Sequence, residues 1–346
     1  MTTSIYMPAE WAPQSYVMLT WPHGDTDWAT TLEAIDTYYV KLATTIAHTT
    51  PCLIICHDAA LRAHVETRLP GNSPHPFTLL TIASDDTWTR DHGPICLLDE
   101  KRHLLDFTFN AWGKGFACDA DNAINRHLWE TQLLDNTDYL AHSLVLEGGG
   151  IDSDGEGTII TTARCLFNPN RNPTLSEANI RQQLQQALHA KRVIVIQQGY
   201  LVGDDTDGHV DTLVRFLNPT TLAFSSCDNP DDEHFDDLQA LKAELSELRD
   251  LNDKPYDLVE LPIPQAIYSA SGQRLPANYC NFLITNDQVI VPSYADPADE
   301  IAVVRLSQAF PKHQITLLDA RLLVTQGGSI HCATMNIPQL RVFSNN

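Results

Sequence analysis

The sequence predicts an α/β fold, built as one domain from repeated hairpin–helix–strand units that can close into a ring. Three observations predict it. One order of elements recurs four times, at spacings of roughly 50–70 residues. Each end of the chain leaves a strand without a hairpin partner, so pairing the two supplies a fifth unit and removes open sheet edges. No stretch rich in Gly, Ser or Pro divides the chain, so the domain is taken to span 1–346. On pattern alone an ordinary open α/β sheet is slightly favoured, because helix–strand alternation is common.

The elements follow in order. Residues 16–20 read as a strand and 31–47 as a helix, with Leu32, Ile35, Tyr39, Leu42 and Ile46 on one stripe. A strand at 53–56 follows, and 58–82, a helix and a strand, is an insertion in this first unit. The second unit is a hairpin at 95–109, a helix near 121–134 and a strand at 143–146. The third is a hairpin at 150–162, a helix at 175–189 and a strand at 193–196. Its helix is opened by Thr174-x-x-Glu177, a capping-box spacing. The fourth is a hairpin at 212–226, a helix at 232–250 and a strand at 258–263. The last is a hairpin at 281–291, a helix at 297–310 and a strand at 315–318. The final apolar run, 329–334, is the strand expected to meet 16–20.

The formal net charge is −22. That argues against nucleic acid and anionic membranes as partners, because both require positive patches. It suits a cationic substrate, although solubility explains the overall charge equally well. No apolar run approaches the ~20 residues of a membrane span. The N-terminus lacks a basic segment followed by an apolar one, so a cytoplasmic protein is expected. The oligomeric state is left open, a homo-oligomer included. Eight cysteines are scattered singly and expected to be reduced. Neither C-x-x-C nor H-E-x-x-H occurs, so no metal is expected.

Four segments resist a purely structural interpretation. Trp88-Thr89-Arg90-Asp91-His92-Gly93-Pro94 puts charge just before an apolar strand. Leu146-Glu147-Gly148-Gly149-Gly150 ends a strand in a carboxylate, with glycines that allow close approach. In Asp204-Asp205-Thr206-Asp207-Gly208-His209-Val210-Asp211, extended alternation would send His209 and Asp211 to one side. Gln326–Thr334 carries Cys332 after a Gly-Gly turn. Each alone is ordinary: a turn, a loop, a core cysteine. Their placement is not, because each falls at a corresponding edge of a different unit. Together they offer a thiol nucleophile, a histidine acid/base, a carboxylate to orient it and two further carboxylates. Several acids around one thiol suit a cationic electrophile, and guanidinium is planar with donors that pair bidentately with carboxylates.

On these segments the chain resembles the agmatine deiminase and bacterial peptidylarginine deiminase family of guanidine-modifying enzymes, within the pentein superfamily. The matching motifs are P-A-E-W-A-P-Q-S (8–15), L-T-W-P-H (19–23), W-T-R-D-H-G-P (88–94), N-A-W-G-K (110–114), L-E-G-G-G-I-D-S-D-G-E-G-T (146–158), D-T-D-G-H-V-D (205–211) and G-G-S-I-H-C-A-T (327–334). The resemblance implies a five-bladed pseudo-symmetric α/β propeller. It implies Cys332 as nucleophile, His209 as acid/base, Glu147 orienting it, and Asp91 and Asp211 clamping the guanidinium. It further implies Asp205 as a contact to a distal amine, with Trp88 and Trp112 as pocket walls or plain core aromatics. The expected reaction is hydrolytic deimination through a covalent thiouronium, with agmatine as substrate and neither metal nor organic cofactor. Deimination of peptidyl or free arginine, amidinotransfer, and a non-catalytic guanidine-binding role are the alternatives. The family often has a third Gly ahead of Gly-Gly and usually continues Cys-x-Thr-Gln-Gln after the nucleophile, whereas this chain has Gln326 and Met335-Asn336 at those places.

Overall fold

The computed structural model describes residues 4–340, so the extreme ends of the expected 1–346 domain lie outside the described residues. The chain opens with β1 (Gln14–Thr20), α1 (Leu32–Ile46), β2 (Cys52–Cys56), α2 (Ala59–Arg68) and β3 (Phe77–Thr81). A single helical turn, α3 (Thr89–His92), precedes β4 (Ile95–Leu98), β5 (Arg102–Thr108), α4 (Asp119–Glu130) and β6 (Thr137–Val145). Next come β7 (Ile151–Ser153), β8 (Thr158–Thr162), α5 (Ala163–Leu166), α6 (Glu177–Ala187) and β9 (Arg192–Ile196). Another single turn, α7 (Val210–Leu213), precedes β10 (Val214–Asn218), β11 (Thr221–Ser226), α8 (Phe235–Glu247) and β12 (Asp257–Pro262). The chain then runs through β13 (Leu283–Ile284), β14 (Gln288–Ser293), α9 (Ala298–Ala309), β15 (Gln314–Asp319) and β16 (Thr334–Pro338).

These strands form five separate sheets, and none closes on itself among the described residues. Four have three strands, in the orders β4-β5-β6, β7-β8-β9, β10-β11-β12 and β13-β14-β15. In each, a hairpin makes the first pair antiparallel and a helical crossover makes the second parallel. The remaining sheet, β16-β1-β2-β3, follows the same scheme with its antiparallel pair drawn from the two ends of the chain. Val17, Met18 and Leu19 lie opposite Asn336, Met335 and Thr334. The segment expected as an insertion, 58–82, adds β3 to that sheet as a fourth, parallel strand.

Burial explains the pattern. Strands between a helix layer and the interior are apolar on both faces, as β2 and β4 are along their whole length. Helix α1 buries Ile35, Tyr39, Leu42 and Ile46 on one stripe and turns Glu33 and Thr37 outward. No helix among the described residues is long and apolar enough to cross a membrane.

Four expectations need correction. The strand placed at 329–334 begins only at Thr334. Residues before it form a turn in which Ala333 N–H donates to Ser329 O (3.1 Å), so Cys332 precedes the strand instead of lying in it. The segment around His209 is not extended. Asp207 and Gly208 take positive φ, and His209 then caps α7, which carries Asp211. Helix α6 is capped by Ser176, whose side chain accepts from Asn179 N–H, and not by Thr174. Strand β6 starts at Thr137, before the expected 143, because none of its first half, Leu140 included, is buried, and only its end carries the buried Leu144.

Candidate active site

The reactive side chains sit just before the first strands of four different sheets. Asp91 lies in α3 ahead of β4, and Glu147 precedes the Gly148–Gly150 turn ahead of β7. His209 and Asp211 lie at α7 ahead of β10, and Cys332 ahead of β16. Asn281, ahead of β13, completes the series and was not anticipated from the sequence.

The structure brings these groups together. A Cβ built on Gly149 would fall 2.6 Å from His209 Nδ1, 2.8 Å from Asp91 Oδ1 and 3.2 Å from Asp211 Oδ2, so only glycine fits among them. The Gly149 N–H donates to Asp91 Oδ1 at 3.1 Å, and Trp112 Nε1 donates to Asp91 Oδ2 at 2.9 Å. His209 Nδ1 lies 3.5 Å from Asp91 Oδ1, and its Nε2 lies 3.9 Å from Glu147 Oε2. The Cys332 thiol donates to Asp211 Oδ2 at 3.7 Å. Asn281 grips Cys332 twice. Its Nδ2 donates to Sγ at 3.1 Å, and its Oδ1 accepts from the Cys332 backbone N–H at 3.2 Å.

Behind them stands Arg171, also unanticipated. Its Nε donates to Glu147 Oε1 at 3.0 Å, and its Nη1 pairs with Asp207. It thereby ties the 204–211 loop to the strand end that carries Glu147. Arg171 sits in a loop, Asn168–Asn172, and an arginine there with a buried carboxylate elsewhere was the available signal. Of the residues that depart from the family run, Gln326 lines the cavity that Cys332 opens into, whereas Met335 and Asn336 do not. Arg90 Nη2 donates to Asn336 Oδ1 at 2.7 Å, and Arg90 Nη1 reaches Met335 Sδ at 3.6 Å.

Electrostatics sets the resting charges. Burial pushes the Cys332 thiol well above its ordinary value, and Asp211 and Asp91 push the same way. Burial opposes a charge on His209, but Asp91, Cys165 and Glu147 outweigh it and raise the ring well above its usual range. Burial likewise opposes ionisation of Glu147 and Asp211. His209 and Arg171 nevertheless hold Glu147 below the usual carboxylate range, and His331 and His209 do so for Asp211. Burial, helped by Asp211 and Glu147, raises Asp91 against the pull of His209. These directions favour a neutral Cys332 thiol beside a charged His209 ring in the resting site.

Cys332 and Asp91 open into a cavity of about 620 Å³. Trp88, Trp112 and Phe116 give it apolar wall, and Asp27, Asp86, Asp204 and Asp205 line it with carboxylates. Asp205 and Trp88 are packed against the Gly-Gly turn. A Cβ on Gly327 would fall 2.8 Å from Asp205 Oδ1, and one on Gly328 would fall 2.2 Å from the Trp88 ring. Arg274 also lines the cavity, but its guanidinium is already held by Asp232 (2.9 Å) and Glu233 (2.9 Å). Glu147, Cys165 and His209 offer three ligand atoms within 4.8 Å of one another, a donor set able to hold a metal ion. His23, Asp25 and His57 form a second such group.

A buried thiol ringed by carboxylates, with an imidazolium beside it, has the make-up of a thiol enzyme centre for a planar cation. The chain belongs to the Porphyromonas-type peptidyl-arginine deiminase family, whose model matches residues 6–338. Agmatine deiminase of Stutzerimonas stutzeri is 33% identical, covering 96% of this chain and 95% of its own. A substrate-bound cysteine-to-serine variant of C. jejuni agmatine deiminase is 36% identical with a TM-score of 0.89, covering 98% of both chains. A Porphyromonas gingivalis structure presented as a candidate arginine deiminase is 43% identical with a TM-score of 0.92, covering 97% of this chain and 99% of its own. A dimethylarginine dimethylaminohydrolase structure, at 12% identity and a TM-score of 0.50, shares the fold alone.

Proposed function

We propose that this protein hydrolyses the C–N bond of a small guanidine, agmatine first, giving N-carbamoylputrescine and ammonia. The observation that carries the reading is the placement of Cys332 Sγ beside Asp211 and within the same buried cluster as Asp91 and His209. A planar guanidinium held edge-on by the two aspartates presents its carbon to the sulfur. Substrates of the similar S. stutzeri and C. jejuni enzymes, as their names give them, support agmatine. So does the cavity: its carboxylates suit a second cationic group. Its arginine, Arg274, is already neutralised by Asp232 and Glu233, which leaves little to receive the carboxylate of free or peptidyl arginine.

The steps follow from the resting charges. Substrate guanidinium enters between Asp91 and Asp211 and reverses the field that keeps Cys332 protonated. At ~4 Å and an effective dielectric near 20, one charge contributes about 4 kcal/mol, or about 3 pKa units. The thiol proton passes to solvent, and the sulfur attacks the guanidinium carbon. His209 gives its proton to the departing nitrogen, which leaves as ammonia and breaks the C–N bond. The product is an S-alkylthiouronium on Cys332. His209, now neutral, takes a proton from water, the hydroxide adds to the same carbon, and collapse breaks the C–S bond, the hydroxyl proton leaving with the sulfur as the Cys332 thiol, to release the neutral ureido product. Glu147 and Arg171 hold His209 in place, while Asp205 and the walls Trp88 and Trp112 contact the rest of the substrate.

We further infer that the five sheets are blades of one pseudo-symmetric propeller domain. Their common strand order supports this. So do ties between neighbouring sheets: Arg102 to Pro338 O, Arg215 to Asp152, Arg215 to Phe282 O, and Gln14 to Ile284 O.

The test is turnover. Wild-type protein incubated with agmatine, arginine and an arginyl peptide should release ammonia and ureido product fastest from agmatine. Cys332→Ser should lose at least about 1,000-fold in kcat. Near-normal agmatine turnover by that variant would refute the covalent route, and preference for arginine would refute the substrate.

A further inference from the structure

The Pro8-Ala9-Glu10-Trp11 segment takes no part in the steps above, yet it ends against them. His331, the residue before Cys332, lies between two carboxylates. Its Nδ1 is 2.7 Å from Asp211 Oδ2, and its Nε2 is 2.7 Å from Glu10 Oε2. Each ring nitrogen therefore faces a carboxylate oxygen at hydrogen-bond distance, so the imidazole bridges the two acids. Glu10 is itself fixed on every side. Its Oε1 accepts from Ile284 N–H at 2.7 Å, and its Oε2 also accepts from Arg215 Nη2 at 2.7 Å. Arg90 Nη2 stands 3.8 Å away. The three side chains are almost sealed from solvent, at 7% for Glu10, 3% for His331 and 0% for Asp211.

The consequence falls on Asp211. Its Oδ2 is occupied by His331 and by the Cys332 thiol. Its Oδ1 is buried and has no hydrogen-bond partner among the described residues. A bare buried acceptor is costly, and a guanidinium N–H is the group that would satisfy it. We propose that Glu10 and His331 are a positioning pair, which fixes one oxygen of Asp211 so that the other is presented to the substrate cation. This rests on the site being a guanidinium centre. Neither residue touches substrate, and neither moves a proton in the reaction. Their contribution is therefore to how strongly the cation is held, more than to the chemistry at sulfur.

Steady-state kinetics of Glu10→Gln tests the pair. The amide keeps an oxygen for Ile284 N–H and removes the charge. KM for the substrate that wild type turns over should rise about 10-fold or more, with kcat within about 3-fold. A merely structural brace would lower the melting temperature and the active fraction, hence kcat, and leave KM where it was. That result, or no change in either constant, overturns the proposal. His331→Gln leaves Glu10 paired with Arg215 and Ile284, and it should give the same split even if Glu10→Gln folds poorly. A wild type that turns over none of the three substrates would overturn the functional reading, and this inference with it. A working wild type with KM unmoved in the variants overturns the pair alone.

Discussion

Asn281 is the residue that most changes the account of the nucleophile. Burial and two aspartates disfavour a thiolate at Cys332, and the Asn281 Nδ2 donor is one group that works the other way. A hydrogen bond to a charged group contributes about 1.5–3 kcal/mol, or about one to two pKa units. Two measurable consequences follow. In the free protein, alkylation of Cys332 by iodoacetamide should be slow at pH 7 and rise only above the ordinary thiol range of about 8.5. In Asn281→Ala the whole profile should move up by about one pH unit, read from the mass of the Cys332 peptide. An inflection below pH 7 in the wild type would contradict the resting neutral thiol, and an unshifted Asn281→Ala profile would remove the role of the amide. Asn281 was invisible in the sequence for a plain reason. An asparagine in Asn278-Tyr279-Cys280-Asn281 looks like loop chemistry, and only its place ahead of β13 marks it as the counterpart of Asp91 and Glu147.

At the scale of elements, the site is made by turns and single helical turns that run into a buried strand. In Gly148–Gly150 the close approach of site side chains is what demands glycine. Its backbone φ is ordinary, so alanine at 149 is permitted by the chain and excluded only by the neighbours of its Cβ. Gly149→Ala should therefore lower kcat/KM by about 100-fold or more through displaced His209 and Asp91, since small misplacements are costly to catalysis. Overpacking should cost only about 1–3 kcal/mol of stability. Gly71→Ala, where a Cβ meets nothing within 4 Å, is the control and should be silent in both assays. Equal loss of stability and activity in Gly149→Ala would show a folding defect instead. The hairpins and helices around these turns were legible because Asn-Pro and Asp-Gly turns and apolar stripes are local signals. The turn at 329–333 and the short helix at Asp211 were not. Each is set by long-range contacts, as when Cys332 is fixed by Asn281 and Asp211 by His331.

On the scale of the whole molecule, the four hairpin–helix–strand units and, in outline, the meeting of the chain ends could be read from the sequence, but the ties between sheets could not. Arg215 is the clearest case. In Val214–Asn218 it stands as one charge in an apolar strand, and its partner Glu10 is 205 residues away. It is 1% exposed. It reaches Glu10 Oε2 at 2.7 Å, Asp152 Oδ2 at 3.2 Å and Phe282 O at 2.9 Å, and so joins its own sheet to three others or their leading segments. Replacing it by methionine fills the volume but strands two buried carboxylates, a change that costs about 3–5 kcal/mol. The pH dependence follows from Glu10. Burial opposes its charge, yet Arg215, His331 and Arg90 hold its pKa well below the usual carboxylate range. A depressed folded pKa contributes stability above the unfolded value of about 4.3 and loses it as pH falls through the folded one. Without Arg215 the largest of those attractions is gone and burial weighs more heavily, and Asp152, which burial already raises against the pull of Arg215, is freed together with Glu10 to take up a proton as the solution is acidified. The stability deficit of Arg215→Met in urea unfolding should thus be largest near pH 7.5 and shrink by pH 5. A deficit that is the same at both pH values would show that lost packing, and not the stranded carboxylates, is what the variant reports.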